Sequence, residues 1–327
     1  RMKWLRKGWP YLLLAVLVIV NITIWLQRDS IGDWWRLRDY HPRSSVVSLA
    51  KNDTMTAYAK RLFYVNYPSL EDKQAFNDHC SSAAEQTAVL GCYHGNRQGI
   101  YIYDVTDSRL NGVQQVTAAH EMLHQAYDRL NSDERKHIDN LLEDFYVHGL
   151  TDQTVKDKIN AYKKQKDVVL VNEMHSIFGT EVRNLPGELE AYYKRYFTDR
   201  TKIIDYRDAY QTEFTRREMM VSQYDSQLSA LNMKIDSNKA TLETKLSYLN
   251  SKETAINQDV TNHDPSQYQA DVTAYNATVT VYNSLLNTTR TLINQYNQIV
   301  NDRNALALQE QQLQQALDSR LTAPATK

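Results

Sequence analysis

The sequence predicts a mainly α protein with a small β-hairpin: an α+β domain, preceded by a transmembrane helix and followed by a long antiparallel helical hairpin. Three observations predict it. Gly and Pro number only nine and six in 327 residues, and these are the residues that interrupt helices. An apolar run at 9–26 holds no charged residue. Two sets of apolar residues spaced by seven fill the last third of the chain. A net charge of −1 implies no general attraction to nucleic acid.

The run at 9–26 is broken only by Pro10, Asn21 and Thr23, and its length suits one bilayer crossing. Arg1, Lys3, Arg6 and Lys7 precede it, which places residues 1–8 as a cytoplasmic tail and the bulk of the chain outside. Arg28, Arg36, Arg38 and Arg43 follow, mixed with Asp29, Asp33 and Asp39. Trp4 and Trp9 mark one end of the run, and Trp25, Trp34 and Trp35 the other, like an aromatic belt at two interfaces. No small-x-small cleavage site follows, so an uncleaved anchor at 9–27 is expected rather than a signal peptide. Residues 28–43 read as a juxtamembrane linker. The expected location is therefore extracytoplasmic, as in a bacterial cell envelope. There Cys80 and Cys92, the only cysteines, are candidates for a disulfide; the alternative is two free buried thiols.

Residues 44–202 carry a mixed pattern. Residues 45–64 read as one or two helices ending near Asn66-Tyr67-Pro68, and 69–79 as another short helix. The period then changes to two. Residues 87–93 and 99–105 are short, β-branched and aromatic, with a turn at 94–98 between them, which predicts a hairpin. Its second strand comes just before the next helix, and by its pattern alone it reads as an ordinary buried strand. Residues 113–128 follow as a helix, with Gly112 just before it and Val116, Ala119, Leu123 and Ala126 at helical spacing. This helix carries His120-Glu121-Met122-Leu123-His124. His120 and His124 lie one turn apart on one face, so both imidazoles can reach a single metal ion. Glu121 lies to the side of the pair, where it can take a proton from a water.

Asn131-Ser132-Asp133-Glu134 reads as a capping box that opens a helix through Ile138, Leu141, Leu142 and Phe145. Residues 152–166 read as a polar, solvated helix. The helix at 167–180 has an apolar stripe of Leu170, Val171, Met174, Ile177 and Phe178, and holds Asn172-Glu173-Met174-His175-Ser176. A catalytic zinc keeps three protein ligands and one open position. The third ligand must come from a second element, and this one is the best donor. Glu173 and His175 flank the stripe on opposite sides, so only one can face the metal. A Glu at a buried edge is costly without a cation, which favours Glu173; His175 is the alternative ligand, or a group that supports the site or an oxyanion. Glu181, Glu188 and Glu190 read as exposed helix charges. Residues 185–197 form an aromatic helix in which Tyr192, Tyr193 or Tyr196 either donates to a developing oxyanion or packs the core.

Together the two stretches resemble the gluzincin, thermolysin-like type of zinc metallopeptidase, in which a second helix carries Asn-Glu-x-x-Ser. The resemblance covers these two helices only. It implies a zincin-like domain over 44–202, Zn2+ held by His120, His124 and Glu173, Asn172 supporting the cleft, the second hairpin strand bordering that cleft with an edge for an extended peptide to pair with, Glu121 as general base, and a peptide or protein substrate. The chain departs from the pattern in a longer gap from His124 to Glu173. It also has Ile177 where thermolysin-like sequences have an Asp that steadies a zinc-bound His. Asp128, one turn beyond His124, is a candidate for that role, or else a solvated helix residue. A membrane-anchored metallopeptidase is the function expected; a non-catalytic envelope scaffold with a metal-stabilised domain is the alternative.

From 203 to 320 the chain is polar, with one Pro and no Gly. Phe214, Val221, Leu228, Ile235, Leu242, Leu249 and Ile256 form one heptad seam, and Val272, Val279, Leu286, Ile293, Val300 and Ala307 a second. Between them Asp264 fits an N-cap, Pro265 the first helical position and Gln267 the capping-box partner. Two long antiparallel helices joined at a tight tip are expected, a coiled-coil arm able to recruit a protein partner. Leu306, Leu313 and Leu317 shift the seam near the end, and 321–327 reads as a disordered tail.

Overall fold

A computed structural model describes residues 3–80, 90–164 and 169–321. Parts of several expectations lie outside the described residues: 1–2 of the tail at 1–8, 87–89 of the first hairpin strand, the helix ends at 165–168, and 322–327 of the C-terminal tail. The side chains of 3–11, 25 and 26 lie outside as well, and with them Trp4, Trp9 and Trp25 of the expected belt. Among the described residues helices dominate, with one small sheet of three strands. The chain divides into two compact units, Arg1–Gln211 with Gln315–Lys327, and Thr212–Gln314.

The first unit begins with α1 (Lys3–Leu26), whose apolar side chains from Leu12 to Ile24 are exposed. Asn21 and Thr23 bond the carbonyls of Leu17 and Ile19 one turn back, so neither leaves its polar group unmet in that stretch. Among the described residues no single helix is long and apolar enough to cross a membrane; Leu12–Ile24 and Arg28–Leu37 meet that measure only as a pair bent by 63°. The segment 28–43, read as a linker, contains α2 (Arg28–Leu37), and its Asp33 is buried. Mixed charge imitates a solvated linker in the sequence, but here Asp33 is ion-paired with Arg97 and Arg129, far along the chain.

α3 (Ser44–Asn52) and α4 (Ala57–Tyr64) fall within 45–64 almost as predicted. Residues 69–79 are not one helix. They divide into strand β1 (Ser69–Glu71) and helix α5 (Lys73–Cys80). β1 exists because it pairs in parallel with a strand some thirty residues on, β3 (Gly99–Tyr103), a partner that local propensity does not reveal. β2 (Gly91–His94) pairs antiparallel with β3, from His94↔Gly99 to Gly91↔Ile102, which is the predicted hairpin in shorter form. The strand order β1-β3-β2 makes β3 central. The expected free edge on the second hairpin strand is therefore absent, and the edge strand beside the motif helix is β2.

That helix, α6 (Val113–Asp128), is buried on most of its faces and packs against α3, α4, β2, β3 and a later helix, α9 (Leu170–Glu181). Gly112 caps it at φ 106°, and a Cβ there would meet the Tyr206 backbone carbonyl at 2.9 Å, so both backbone and space require glycine. α7 (Ser132–Asp144) starts with the predicted capping box, both hydrogen bonds being present. α8 (Gln153–Tyr162) is not a wholly solvated helix, since Val155, Ile159 and Tyr162 are buried. With α9 and α10 (Gly187–Tyr193) it closes one core, which reaches from Val46 to Ile203.

The second unit is formed by the greater parts of α11 (Thr201–Asn262) and α12 (Pro265–Leu317). They run antiparallel, with Asp225 paired to Arg303 and Lys252 to Asp271. At the tip His263 is left-handed at φ 52°, and Asp264 Oδ1 accepts from Gln267 N. The Gln267 side chain reaches Asp271 rather than back to the cap. Ile235, Leu242 and Leu249 of the first seam are buried. On α12 the seam drifts earlier than Leu306: Leu306 and Leu313 are buried, but Ile293 already faces solvent, as does Ala307. A 3.6-residue helix departs from a strict heptad by about 20° per repeat.

Candidate metal centre

α6 and α9 pack side by side, and their facing residues meet at one point. One ligand atom each from His120, His124 and Glu173 lies within 4.8 Å of the others. Glu173 Oε2 is 3.6 Å from His120 Nε2, and Oε1 is 3.6 Å from His124 Nε2. These separations are too long for hydrogen bonds. They are close to the roughly 3.3–3.5 Å expected between donors placed about 2.0–2.1 Å from one tetrahedral ion. Glu173 Oε2 is buried and has no hydrogen-bond partner, an arrangement that is costly unless a cation meets it. The three side chains therefore fit a metal ion.

The electrostatics agree. Burial lowers the His120 pKa below the ordinary value, against the pull of Glu173, which favours the neutral, ligating imidazole. Burial would raise the Glu173 carboxyl, but positive charge at His124 and His120 outweighs it and lowers the group to about 2; a cation between the neutral imidazoles would supply that charge instead. Asn172 Oδ1 lies 3.0 Å from His124 Nδ1. An amide oxygen only accepts, so Nδ1 carries the proton and Nε2 keeps its lone pair toward Glu173.

Glu121 is buried on the β2 side of α6. A Cβ added at Gly91 would stand 2.8 Å from Glu121 Oε1 and 2.5 Å from Thr117 Cγ2. β2 thus lies directly on the candidate general base, and only glycine permits the approach. Two residues along, the Tyr93 hydroxyl lies 2.6 Å from Gln125 Oε1 and 2.8 Å from Asp128 Oδ2, and its ring stacks parallel to His124 at 6.4 Å. Cys92, between them, faces the other way and is disulfide-bonded to Cys80 at the end of α5. The edge strand is therefore fastened on both sides.

Several expectations are corrected. Asp128 does not steady a histidine; it accepts from Tyr93, and Asn172 takes the place beside His124. His175 is not the third ligand. It is fully buried on the other flank of α9, with Nε2 2.8 Å from the Tyr192 hydroxyl, and burial lowers its pKa to about 3. Tyr193 is fully buried and donates to the His175 carbonyl at 2.6 Å, which makes it a core residue rather than an oxyanion donor. The Tyr192 hydroxyl is engaged by His175 and Tyr196. Ile177 is fully buried in the core. Glu181 is buried too, paired with Lys158 at 2.5 Å, not an exposed charge.

Gly91 and Tyr93 were not singled out by the sequence. The signal was the two-residue alternation of a strand, which puts both on one face, but it acquires meaning only once β2 is known to lie on α6. Comparison with protein-family models, with curated proteins and with solved structures finds no match for the chain.

Proposed function

We propose that the chain is a membrane-anchored zinc metallopeptidase of the gluzincin type, with its zincin-like domain on the extracytoplasmic side. The observation that carries this reading is the convergence of His120, His124 and Glu173 from two helices, beside a glutamate one residue on from the first histidine. Two imidazoles and one carboxylate are a donor set of catalytic zinc, with a fourth position for water. Zinc bound there would supply Lewis acidity, polarising a peptide carbonyl and making water acidic enough to react near neutral pH. Glu121 takes a proton from the attacking water as its oxygen bonds the carbonyl carbon. It then returns a proton to the amide nitrogen as the C–N bond breaks, giving a carboxylic acid and an amine. The anchor reading is supported by the exposed apolar residues Leu12 to Ile24 of α1 and by the basic residues before them. The coiled-coil arm is left for a protein partner.

The test is Glu121→Gln in the purified full chain. One zinc per chain is expected by elemental analysis in both forms, with peptide cleavage lowered by about 10²–10⁴-fold in the variant. Equal cleavage by both forms excludes Glu121 as the base. A chain that retains no divalent metal, and is not stabilised by any, excludes the metal site itself.

A further inference from the structure

α2 is amphipathic in a specific way. Ile31, Trp34 and Trp35, at helical spacings of three and four, are 39%, 60% and 60% exposed. The two indoles meet edge to face at 5.5 Å, and the Arg38 guanidinium lies 5.0 Å over the Trp35 ring. The opposite face is locked to the domain. Asp33 is 1% exposed and takes Arg97 Nη2 at 2.9 Å and Arg129 Nη2 at 2.8 Å, with Arg61 Nε at 3.8 Å. Arg36 donates to the carbonyls of Val65 and Arg97, both at 2.7 Å, and its own carbonyl accepts from the Tyr67 hydroxyl. So α2 is a fixed part of the domain that nevertheless turns two tryptophans outward. It follows α1 with only Gln27 between them and bends 63° away from it.

The geometry points to α2 lying in the interfacial layer of a lipid bilayer, with Ile31, Trp34 and Trp35 inserted among headgroups and upper acyl chains. The inference rests on the membrane anchor proposed above. A lipid surface is favoured because α2 follows closely on the exposed apolar stretch Leu12–Ile24 of α1, and the 63° bend turns α2 toward the plane of a bilayer that α1 would cross. Trp and Arg are also the side chains that partition to that layer. The latch has a consequence. Arg129 caps the end of the motif helix and Arg97 sits in the β2–β3 turn, so Asp33 ties α2 to both the motif helix and the hairpin. The domain does not swing on a tether but is held at one orientation against the membrane. Its substrates are then peptide segments that emerge close to a bilayer, not freely diffusing proteins.

The experiment uses the full chain in phosphatidylcholine–phosphatidylglycerol vesicles. Two variants keep only Trp34 or only Trp35, with the other tryptophans replaced by Phe. As a second probe, Ile31→Cys is labelled with an environment-sensitive dye while the native disulfide stays oxidised. Expected are co-flotation with the vesicles, several-fold stronger quenching by lipids brominated near the headgroup than at the chain end, and shielding from aqueous iodide. Co-flotation with iodide-accessible Trp34, Trp35 and dye overturns the inference and leaves the anchor standing. Shielding from iodide without bromolipid quenching also overturns it, in favour of a protein covering the face. A chain that does not float overturns the anchor reading, and this inference with it.

Discussion

Asn172 and His124 stand 3.0 Å apart across the α6–α9 contact, and that one hydrogen bond fixes which nitrogen of the imidazole faces Glu173. Ligating histidines gain orientation and basicity from such partners, and losing the partner typically costs 10–100-fold in metal affinity. Asn172→Ala is therefore expected to weaken zinc binding by about that factor, read by competition with a chromophoric chelator, with unchanged helix content by circular dichroism. Asn172→Asp keeps an acceptor in place and is expected to bind at least as tightly as the parent. Equal affinity in Asn172→Ala would remove this residue from the site.

Gly91 makes a separable prediction. Its missing side chain is what lets β2 rest on Glu121 and Thr117. Gly91→Ala must push Glu121 or the strand aside, while Glu173 meets His120 and His124 from α9. Metal stoichiometry is expected to stay at the parent value while kcat falls by about 10²-fold, the scale for a misplaced catalytic group. Loss of metal along with activity would show that the strand supports the ligands as well.

The part of this site that was legible in the sequence is the part written in one helix. His120, Glu121 and His124 share a turn-length spacing, and Glu173 follows from the need for a third donor on an element with a buried edge. What escaped depends on contacts between elements. Asp128 was the candidate to steady His124 on paper and Asn172 only a support of the cleft; the packing of α9 on α6 brings Asn172 to His124 instead. Residues 28–43 looked like a linker because a run of Arg and Asp is usually solvated; the arginines that bury Asp33 are Arg97 and Arg129, 64 and 96 positions away. β1 is three residues long and owes its existence to β3. The heptads were visible over the whole arm, but their drift on α12 is a matter of helix twist, which places Ile293 outside although its spacing is perfect.

The disulfide can be tested through stability. Cys80 and Cys92 are twelve positions apart, and a loop of that size restricts the unfolded chain by about 3 kcal/mol in the chain-entropy view. The double variant Cys80→Ser, Cys92→Ser is expected to unfold at lower urea, by roughly 2–3 kcal/mol, with metal affinity retained. Because Cys92 is the neighbour of Gly91, cleavage is expected to fall further than stability alone explains, at temperatures where the variant is still folded. A reducing agent should reproduce the effect in the parent.

Asp53 gives a prediction of opposite sign to most buried substitutions. It caps the end of α3, it is fully buried, and neither carboxylate oxygen has a hydrogen-bond partner. Burial raises its pKa well above the ordinary value of 3.8. The folded chain therefore keeps a proton that the unfolded chain releases near 3.8. That preference favours folding fully below this pH and is lost as pH rises toward the folded-state value, at up to about 1.4 kcal/mol per pH unit. Asp53→Asn removes the titrating group, and with it the cost of keeping that proton, while nearly conserving shape. It is expected to stabilise the protein by on the order of 1–3 kcal/mol at pH 8, and to make little difference near pH 4. Urea unfolding of parent and variant at those pH values measures it. A variant less stable than the parent at every pH would mean that the carboxylate is met by a cation in the native protein.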